Sequence, residues 1–325
     1  MTRTHPSRIV PRDLFCYPLA VIRELIVNVF RFGLDFRSWR AGFKALRVPS
    51  LVIAAFSCAL GIVLAFHDGR GDILNAAAVM ITGLLLQAGV NLVNDFFEFR
   101  QRRVDDKVSA LGFSRKDRDL LELYIFLVGL ALFGLAGLFG LFLAWRVGWP
   151  VIVLGAFGFV TGFFYTGEPL NYKRRGLAVP LVFFIMGVPM IAGSYYAVSR
   201  TLTAGAVFAS IPVSFLISLI LLANELRDYE ADVRYEIRTL TVRIGYDRGI
   251  VLYCILLACA YASPFVLWLC GAIPHLLLIY AALPFTVPPF LFMRRPPAER
   301  FPVIPLVMLH HLAFGILYCV SFFVQ

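Results

Sequence analysis

Residues 73–100 read ILNAAAVMITGLLLQAGVNLVNDFFEFR, an apolar run that ends in a cluster of amides and acids. A helix needs about 20 mostly apolar residues to cross a bilayer, and this run is long enough. Its apolar residues are continuous and do not alternate, which argues against a strand of an outer-membrane barrel. Because lipid offers no partners to backbone amides, we predict a transmembrane helix here.

The rest of the chain has the same character. Of its 325 residues, 60% are hydrophobic and 15% are charged, and the mean hydropathy is +0.81. A soluble domain is about half apolar and a quarter charged, so a water-soluble globule, a disordered chain and a small disulfide scaffold are excluded. The predicted spans are 47–66, 73–99, 119–144, 148–166, 177–198, 204–226, 249–270, 273–293 and 303–324.

Lysine and arginine alternate between the two sides of these spans. The segment through Arg47, the loops 100–118, 173–175 and 227–248, and the segment 294–300 hold 27 of the 30 basic residues. The positive-inside rule then predicts a cytoplasmic N-terminus and an external C-terminus. We expect the membrane to be the cytoplasmic (inner) membrane of a bacterium. The net charge of +10 is thereby explained as a topology signal, and no nucleic-acid partner is needed.

The N-terminal segment, residues 1–45, is predicted to be separate from the membrane domain, residues 46–325. Its stretch 14–33 is apolar but carries Arg23, Glu24 and Arg31. We interpret it as an amphipathic helix at the cytoplasmic interface, because a tenth span would place Arg23 and Glu24 in mid-bilayer.

Two loops contain the same Asn-to-Asp spacing. Asn91 and Asp95 lie at the cytoplasmic end of the second span, and Asn224 and Asp228 lie at that of the sixth, 133 residues further on. The apolar runs predict an all-α polytopic membrane protein of nine transmembrane helices, and this repeat suggests two four-helix halves plus one helix. We expect a central cavity that opens to the cytoplasmic side. On a helix the polar residues of each motif share one face, within arcs of about 100° to 140°.

Carboxylates at this depth are costly unless a cation neutralises them. Mg²⁺ commonly binds one or two carboxylates together with substrate phosphates. Basic side chains that would bind the remaining phosphate oxygens lie in the predicted cytoplasmic loops, near the same membrane level: Arg227, Arg238, Arg243, Lys173, Arg174 and Arg175. Together they predict a Mg²⁺-diphosphate site; a solvated helix end with local ion pairs is the simpler alternative.

At these loops the sequence resembles the UbiA superfamily of intramembrane prenyltransferases, and in particular its 1,4-dihydroxy-2-naphthoate branch. The sharpest match is similar to N-x-x-R-D-x-x-x-D followed by R-T-L-x-V-R-x-G, and it runs from Asn224 to Gly245. Residues 165–169 are similar to the segment Y-T-G-G-P, and residues 91–95 to N-x-x-N-D. Three departures are Glu98 in place of an aspartate, Arg102 where a further aspartate is common (Asp105 or Asp106 substituting), and Ala178-Val179 in place of G-E.

The resemblance implies transfer of a polyprenyl group from its diphosphate to an aromatic acceptor, with Mg²⁺ as cofactor and with release of pyrophosphate. It implies metal ligands at Asp95, Glu98, Asp228 and Asp232. It implies substrate contacts at Asn91, Asn94, Asn224, Arg227, Lys173 and, for the acceptor carboxylate, Arg47. Asp95, Asp228, Tyr165 and Lys173 are the predicted catalytic residues, Tyr165 stabilising an allylic cation.

Three alternatives stay open at this point. The same fold serves other acceptors, and it serves cyclisation of the prenyl chain as a terpene synthase. A membrane transporter is the alternative from a different class, although transporters commonly place ionisable groups near the midplane, not at one face.

Overall fold

The structure, a computed structural model, describes Gly42, residues 45–101 and residues 115–324, with side chains over 45–97 and 120–324. All regular elements in these ranges are helical. The predicted interfacial helix 14–33 lies outside the described residues.

Eight helical stretches of the described chain are long and apolar enough to cross a membrane, as an integral membrane protein requires. The helices are α1 Val48–His67, α2 Ile73–Gln101, α3 Arg115–Val147, α4 Pro150–Phe163, α5 Ala178–Val182, α6 Val188–Ser199, α7 Ala204–Arg227, α8 Tyr229–Arg234, α9 Leu240–Ile244, α10 Tyr246–Leu269, α11 Leu276–Tyr280, α12 Val287–Met293 and α13 Val303–Ser321. A π-helical turn, Phe183–Gly187, joins α5 to α6, and a 3₁₀ turn, Leu283–Thr286, leads into α12. Helices α5 and α6, with the turn between them, form one span, Ala178–Ser199. Helices α11 and α12, with the 3₁₀ turn, form another, Leu276–Met293.

The run 148–166 differs from its prediction as a full span. Its helix, α4, has 14 residues. At 1.5 Å per residue this is about 21 Å, shorter than a hydrocarbon core about 30 Å thick. The helix ends at Phe163 because Gly167 and Pro169 turn the chain, and the freed backbone groups form the loop described below.

The chain divides into two compact units. The first consists of Met1–Arg47 and Ala88–Leu132, and the second of Val48–Gln87 and Phe133–Gln325. In the first unit, a small apolar core forms from α2, α3 and the residues before α1: Ala45, Leu92, Leu121 and Ile125.

In the second unit, α7 is the central helix and packs against α6, α10 and α13. It is the most buried of the eight spans. Helix α1 lies very close to α6, since a Cβ added at Gly61 would lie 2.4 Å from the carbonyl oxygen of Ile191. Close backbone approach of this kind is how helices associate in lipid, where no hydrophobic force drives them together. The packed scaffold thereby fixes the end of α7, which carries the second motif.

The start of α2 is capped by Asp72 in the second unit. Its Oδ1 atom accepts hydrogen bonds from the backbone N–H groups of Leu74 and Asn75, each at 3.0 Å, and its Oδ2 atom pairs with Arg146 at 2.7 Å. The hydrogen bond from Asn75 and the nearby guanidinium of Arg146 outweigh partial burial and hold the pKa of Asp72 below its ordinary value. The carboxylate is therefore ionised and ties the first turn of α2 to the last turn of α3.

Candidate functional site

The second motif lies where α7 ends. Asn224 and Arg227 are in the last turn of α7, and α8 begins at Tyr229. The N–H of Asp228 donates to the carbonyl of Asn224 at 3.0 Å, and the N–H of Asp232 donates to that of Asp228 at 2.9 Å. This helical spacing places Asp228 and Asp232 one turn apart on the same face.

The two carboxylates have different surroundings. Asp228 is 43% exposed, and Arg227 donates to both of its oxygens at 2.8 and 2.7 Å. Asp232 is only 4% exposed, and the hydroxyl of Thr239 lies 3.5 Å from its Oδ2 atom. Arg227, predicted to bind phosphate, is therefore paired with a predicted metal ligand.

Glu225, between Asn224 and Leu226, is a third acid that was not among the predicted site residues. It is 5% exposed. Its Oε2 atom accepts a hydrogen bond from the backbone N–H of Thr241 at 3.0 Å, and its Oε1 atom is buried without a hydrogen-bond partner in the described chain. Both Lys173 and Asp232 lie near enough to act on its charge. The signal in the sequence is an acid inside an apolar run, one residue after the asparagine of the motif.

The loop after α4 brings Tyr165 and Lys173 together. The N–H of Lys173 donates to the carbonyl of Tyr165 at 3.0 Å, and the N–H of Tyr172 donates to that of Phe164 at 3.2 Å. The turn between them is closed by Asn171, which is buried and has a left-handed backbone with φ of 36°. Its side chain donates to Glu168 at 3.2 Å. Lys173 is thus positioned by backbone pairing, on the loop that also presents Tyr165.

Arg243 connects this loop to the segment before α10. Its Nε atom donates to the carbonyl of Arg238 and its Nη2 atom to the carbonyl of Arg174, each at 3.0 Å. The aliphatic part of the side chain crosses Gly176, whose φ is +72°. Arg243 was grouped with the phosphate-binding cations by sequence; the structure places these two donor atoms on backbone carbonyls.

Substitution Gly176→Ala is expected to destabilise the protein and to lower turnover severalfold. An added Cβ would lie 2.6 Å from Cδ of Arg243, on a backbone that L side chains rarely adopt. Alanine forced to positive φ costs more than about 1 kcal/mol, and the displaced arginine would release the loop carrying Lys173. Thermal unfolding in detergent and steady-state rates measure both effects. Gly205→Ala is the matched control, because its nearest contact would be an ordinary 3.8 Å; equal behaviour of the two variants would contradict the positioning role of Gly176.

The first motif belongs to the first unit, where it surrounds Arg47. The Nε and Nη2 atoms of Arg47 donate to Oδ1 of Asp95 at 3.1 and 2.5 Å. Asn91 and Asn94 are buried, and the Asn91 amide donates to the carbonyl of Leu46 at 2.6 Å. Asn91 thereby holds the backbone next to Arg47, a position with a left-handed φ of 49°. Four of the predicted residues are therefore close together in this unit.

Part of the first motif cannot be placed. Glu98 is in α2, but its side chain lies outside the described residues, as do Arg102, Asp105 and Asp106.

The donor types suit a hard cation. Among the residues whose side chains are described, no three His, Cys, Asp or Glu side chains form a ready-made metal cluster. Mg²⁺ does not need one, because it usually keeps water and phosphate oxygens alongside one or two carboxylates. Asp228 and Asp232 supply carboxylate oxygens one helical turn apart, and beside them the buried Oε1 atom of Glu225 has no hydrogen-bond partner in the described chain. The residues present therefore fit Mg²⁺ bound together with a diphosphate.

Comparison with known proteins gives a consistent result. The profile of the UbiA prenyltransferase family matches residues 54–301. A 1,4-dihydroxy-2-naphthoate octaprenyltransferase of Bacillus subtilis is 26% identical over 238 residues, which cover 73% of this chain and 76% of the relative. A 2-carboxy-1,4-naphthoquinone phytyltransferase of Synechocystis is 25% identical, over 75% and 79% of the two chains. The structure of a UbiA homologue from Archaeoglobus fulgidus, bound to GPP and Mg²⁺, superposes with a TM-score of 0.57 at 15% identity, covering 87% of this chain and 98% of that one.

Proposed function

The chain belongs to the UbiA prenyltransferase family and is a transferase, and we propose that it transfers a polyprenyl group from its diphosphate to 1,4-dihydroxy-2-naphthoate in menaquinone biosynthesis. The observation that carries the diphosphate site is the cluster at the end of α7, where Asp232 and Glu225 are both buried and where the charges of Lys173 and Asp232 act on Glu225. The names of the similar bacterial enzymes support the acceptor.

The carboxylates of both motifs would hold Mg²⁺ together with diphosphate oxygens. When bound, Mg²⁺ supplies positive charge to the departing pyrophosphate. The proposed ligands are Asp95, Glu98, Asp228 and Asp232, with Asn91, Asn94 and Asn224 completing the polar surroundings.

The remaining roles are assigned to side chains of the chain itself. Lys173 and Arg227 bind phosphate oxygens, so that the allylic C–O bond breaks and its electron pair leaves with pyrophosphate. The ring of Tyr165 stabilises the allylic cation through a cation–π contact, and its backbone pairing with Lys173 supports a joint role. A carbon of the electron-rich acceptor then forms the new C–C bond, and the acceptor carboxylate leaves as CO₂, returning its electron pair to the ring.

The proposal includes the location of the reaction. The chain would lie in the cytoplasmic membrane of a bacterium. Residues 46–325 would form the nine-helix prenyltransferase domain, in which the short α4 adds one helix to the eight long spans. Its central cavity would open to the cytoplasm, and the segment 1–45 would lie at that interface, with the N-terminus inside and the C-terminus outside. The prenyl chain would extend into lipid.

The test uses detergent-purified protein with radiolabelled geranylgeranyl diphosphate and 1,4-dihydroxy-2-naphthoate, in Mg²⁺ or in EDTA. A lipophilic prenylated 1,4-dihydroxynaphthalene formed only with Mg²⁺ is the expected result. Pyrophosphate release without that product would overturn the acceptor and retain the diphosphate site. If folded protein released no pyrophosphate, with longer prenyl donors as well, the proposed reaction would be wrong.

A further inference from the structure

We propose that Glu225 is a positioning residue: its carboxylate holds the turn before α9 against the end of α7 and thereby orients Asp232. The proposal rests on the proposed function only where it treats Asp232 as a metal ligand. Neither the predicted metal ligands nor the predicted substrate contacts include Glu225.

The first step is the cap of α9. The early N–H groups of a helix have no partner within the helix, and a side chain at the N-cap usually accepts from one of them. Thr239 is the N-cap of α9 and makes no such side-chain bond. Glu225 takes this place from 16 positions earlier in the chain, accepting from the N–H of Thr241 at 3.0 Å. The whole contact is buried, where a hydrogen bond is stronger than it is in water.

The second step connects this cap to Asp232. The hydroxyls of Thr241 and Thr239 lie 3.4 Å apart, and the hydroxyl of Thr239 lies 3.5 Å from Oδ2 of Asp232. The N–H of Ile237 also donates to the carbonyl of Asp232 at 2.8 Å. Both threonines are fully buried, so these groups have little freedom to rearrange. Fixing Thr241 to α7 therefore fixes the turn that surrounds Asp232.

The contact with the N–H of Thr241 requires a hydrogen-bond acceptor at position 225, and it does not require a charge there. Glu225→Gln keeps an oxygen for the N–H of Thr241, whereas Glu225→Ala removes it. Groups that orient a metal ligand typically change metal affinity by about 10- to 100-fold when they are lost. We expect Glu225→Ala to bind Mn²⁺ at least about tenfold more weakly than the parent protein, and Glu225→Gln to stay within about threefold of it.

The experiment has two readouts on the detergent-purified full chain, without prenyl donor. Mn²⁺ affinity is measured by electron paramagnetic resonance, and backbone exchange of residues 237–245 by hydrogen–deuterium exchange mass spectrometry without metal. Glu225→Ala should weaken the first and speed the second, and Glu225→Gln should restore both. Ser218→Ala is the matched control, because it removes another buried hydrogen bond of α7, to the carbonyl of Val179; it should lower only thermal stability.

Two results would overturn the proposal. In the first, Glu225→Ala leaves exchange at 237–245 and Mn²⁺ affinity unchanged; in the second, Glu225→Gln is as impaired as Glu225→Ala, which would assign the effect to charge. If the parent protein itself bound no Mn²⁺ in the absence of donor, metal binding would require the diphosphate, and exchange at 237–245 alone would decide the role of Glu225.

Discussion

Asp228→Asn is expected to lower prenyl transfer by about a thousandfold or more, and Asp95→Asn should do the same. Asparagine keeps the size of the side chain but removes the charge that binds Mg²⁺ and, through it, the diphosphate. Folding should survive in the Asp228 variant, because that side chain is 43% exposed and its pairing partner is the neighbouring Arg227. Exposed ion pairs of this kind contribute only about 0–1 kcal/mol to stability.

The measurement is the single-turnover rate of prenyl transfer at saturating Mg²⁺, with thermal unfolding recorded on the same preparations. Asp247→Asn is the matched control, since it makes the same change at an exposed acid in the first turn of α10. It should retain full activity. If Asp95→Asn and Asp228→Asn both turned over normally, the assignment of metal ligands would be wrong.

The helical architecture was predictable because lipid leaves a continuous apolar run few other choices. The sequence therefore located eight spans to within a few residues. The predicted span 148–166 is longer than the helix found there, for a local reason. Gly167 and Pro169 turn the chain, so that α4 ends at Phe163. Hydropathy alone does not detect such a turn.

The candidate site residues were predicted from their charge and spacing, and their roles stay predictions; their partners were not predicted. The spacing of Asn224, Asp228 and Asp232 follows from helix geometry, which the sequence carries directly. The contact of Glu225 with Thr241 depends on how a loop folds back onto α7, and the contact of Arg243 with Arg174 joins segments 69 residues apart. No periodic pattern encodes such pairings, because each depends on the path of a loop.

Arg47→Ala is expected to raise the KM for the naphthoate acceptor by about 10- to 100-fold, since hydrogen bonds to charged groups contribute about 1.5–3 kcal/mol. Its effect on the KM for the prenyl diphosphate should be smaller. The structure gives Arg47 a fixed place: Asp95 accepts from two of its nitrogens, and Asn91 holds the adjacent carbonyl of Leu46. A non-glycine residue with φ of 49° is also a strained position, and strain of about 1–3 kcal/mol commonly persists at functional sites.

The acceptor carboxylate can be separated from the ion pair with Asp95 by changing the substrate. With 1,4-dihydroxynaphthalene, which lacks the carboxylate, the parent protein and Arg47→Ala should have similar acceptor KM values, because the contact that the variant loses does not exist for this compound. Arg47→Lys keeps the charge but not the two-pronged geometry, so its KM for the naphthoate should be intermediate. Arg47→Gly removes the same side chain and relieves the backbone strain at positive φ, and agreement with Arg47→Ala would exclude strain as the cause. If Arg47→Ala raised the KM for both acceptors equally, Arg47 would act through Asp95 and would not bind the carboxylate.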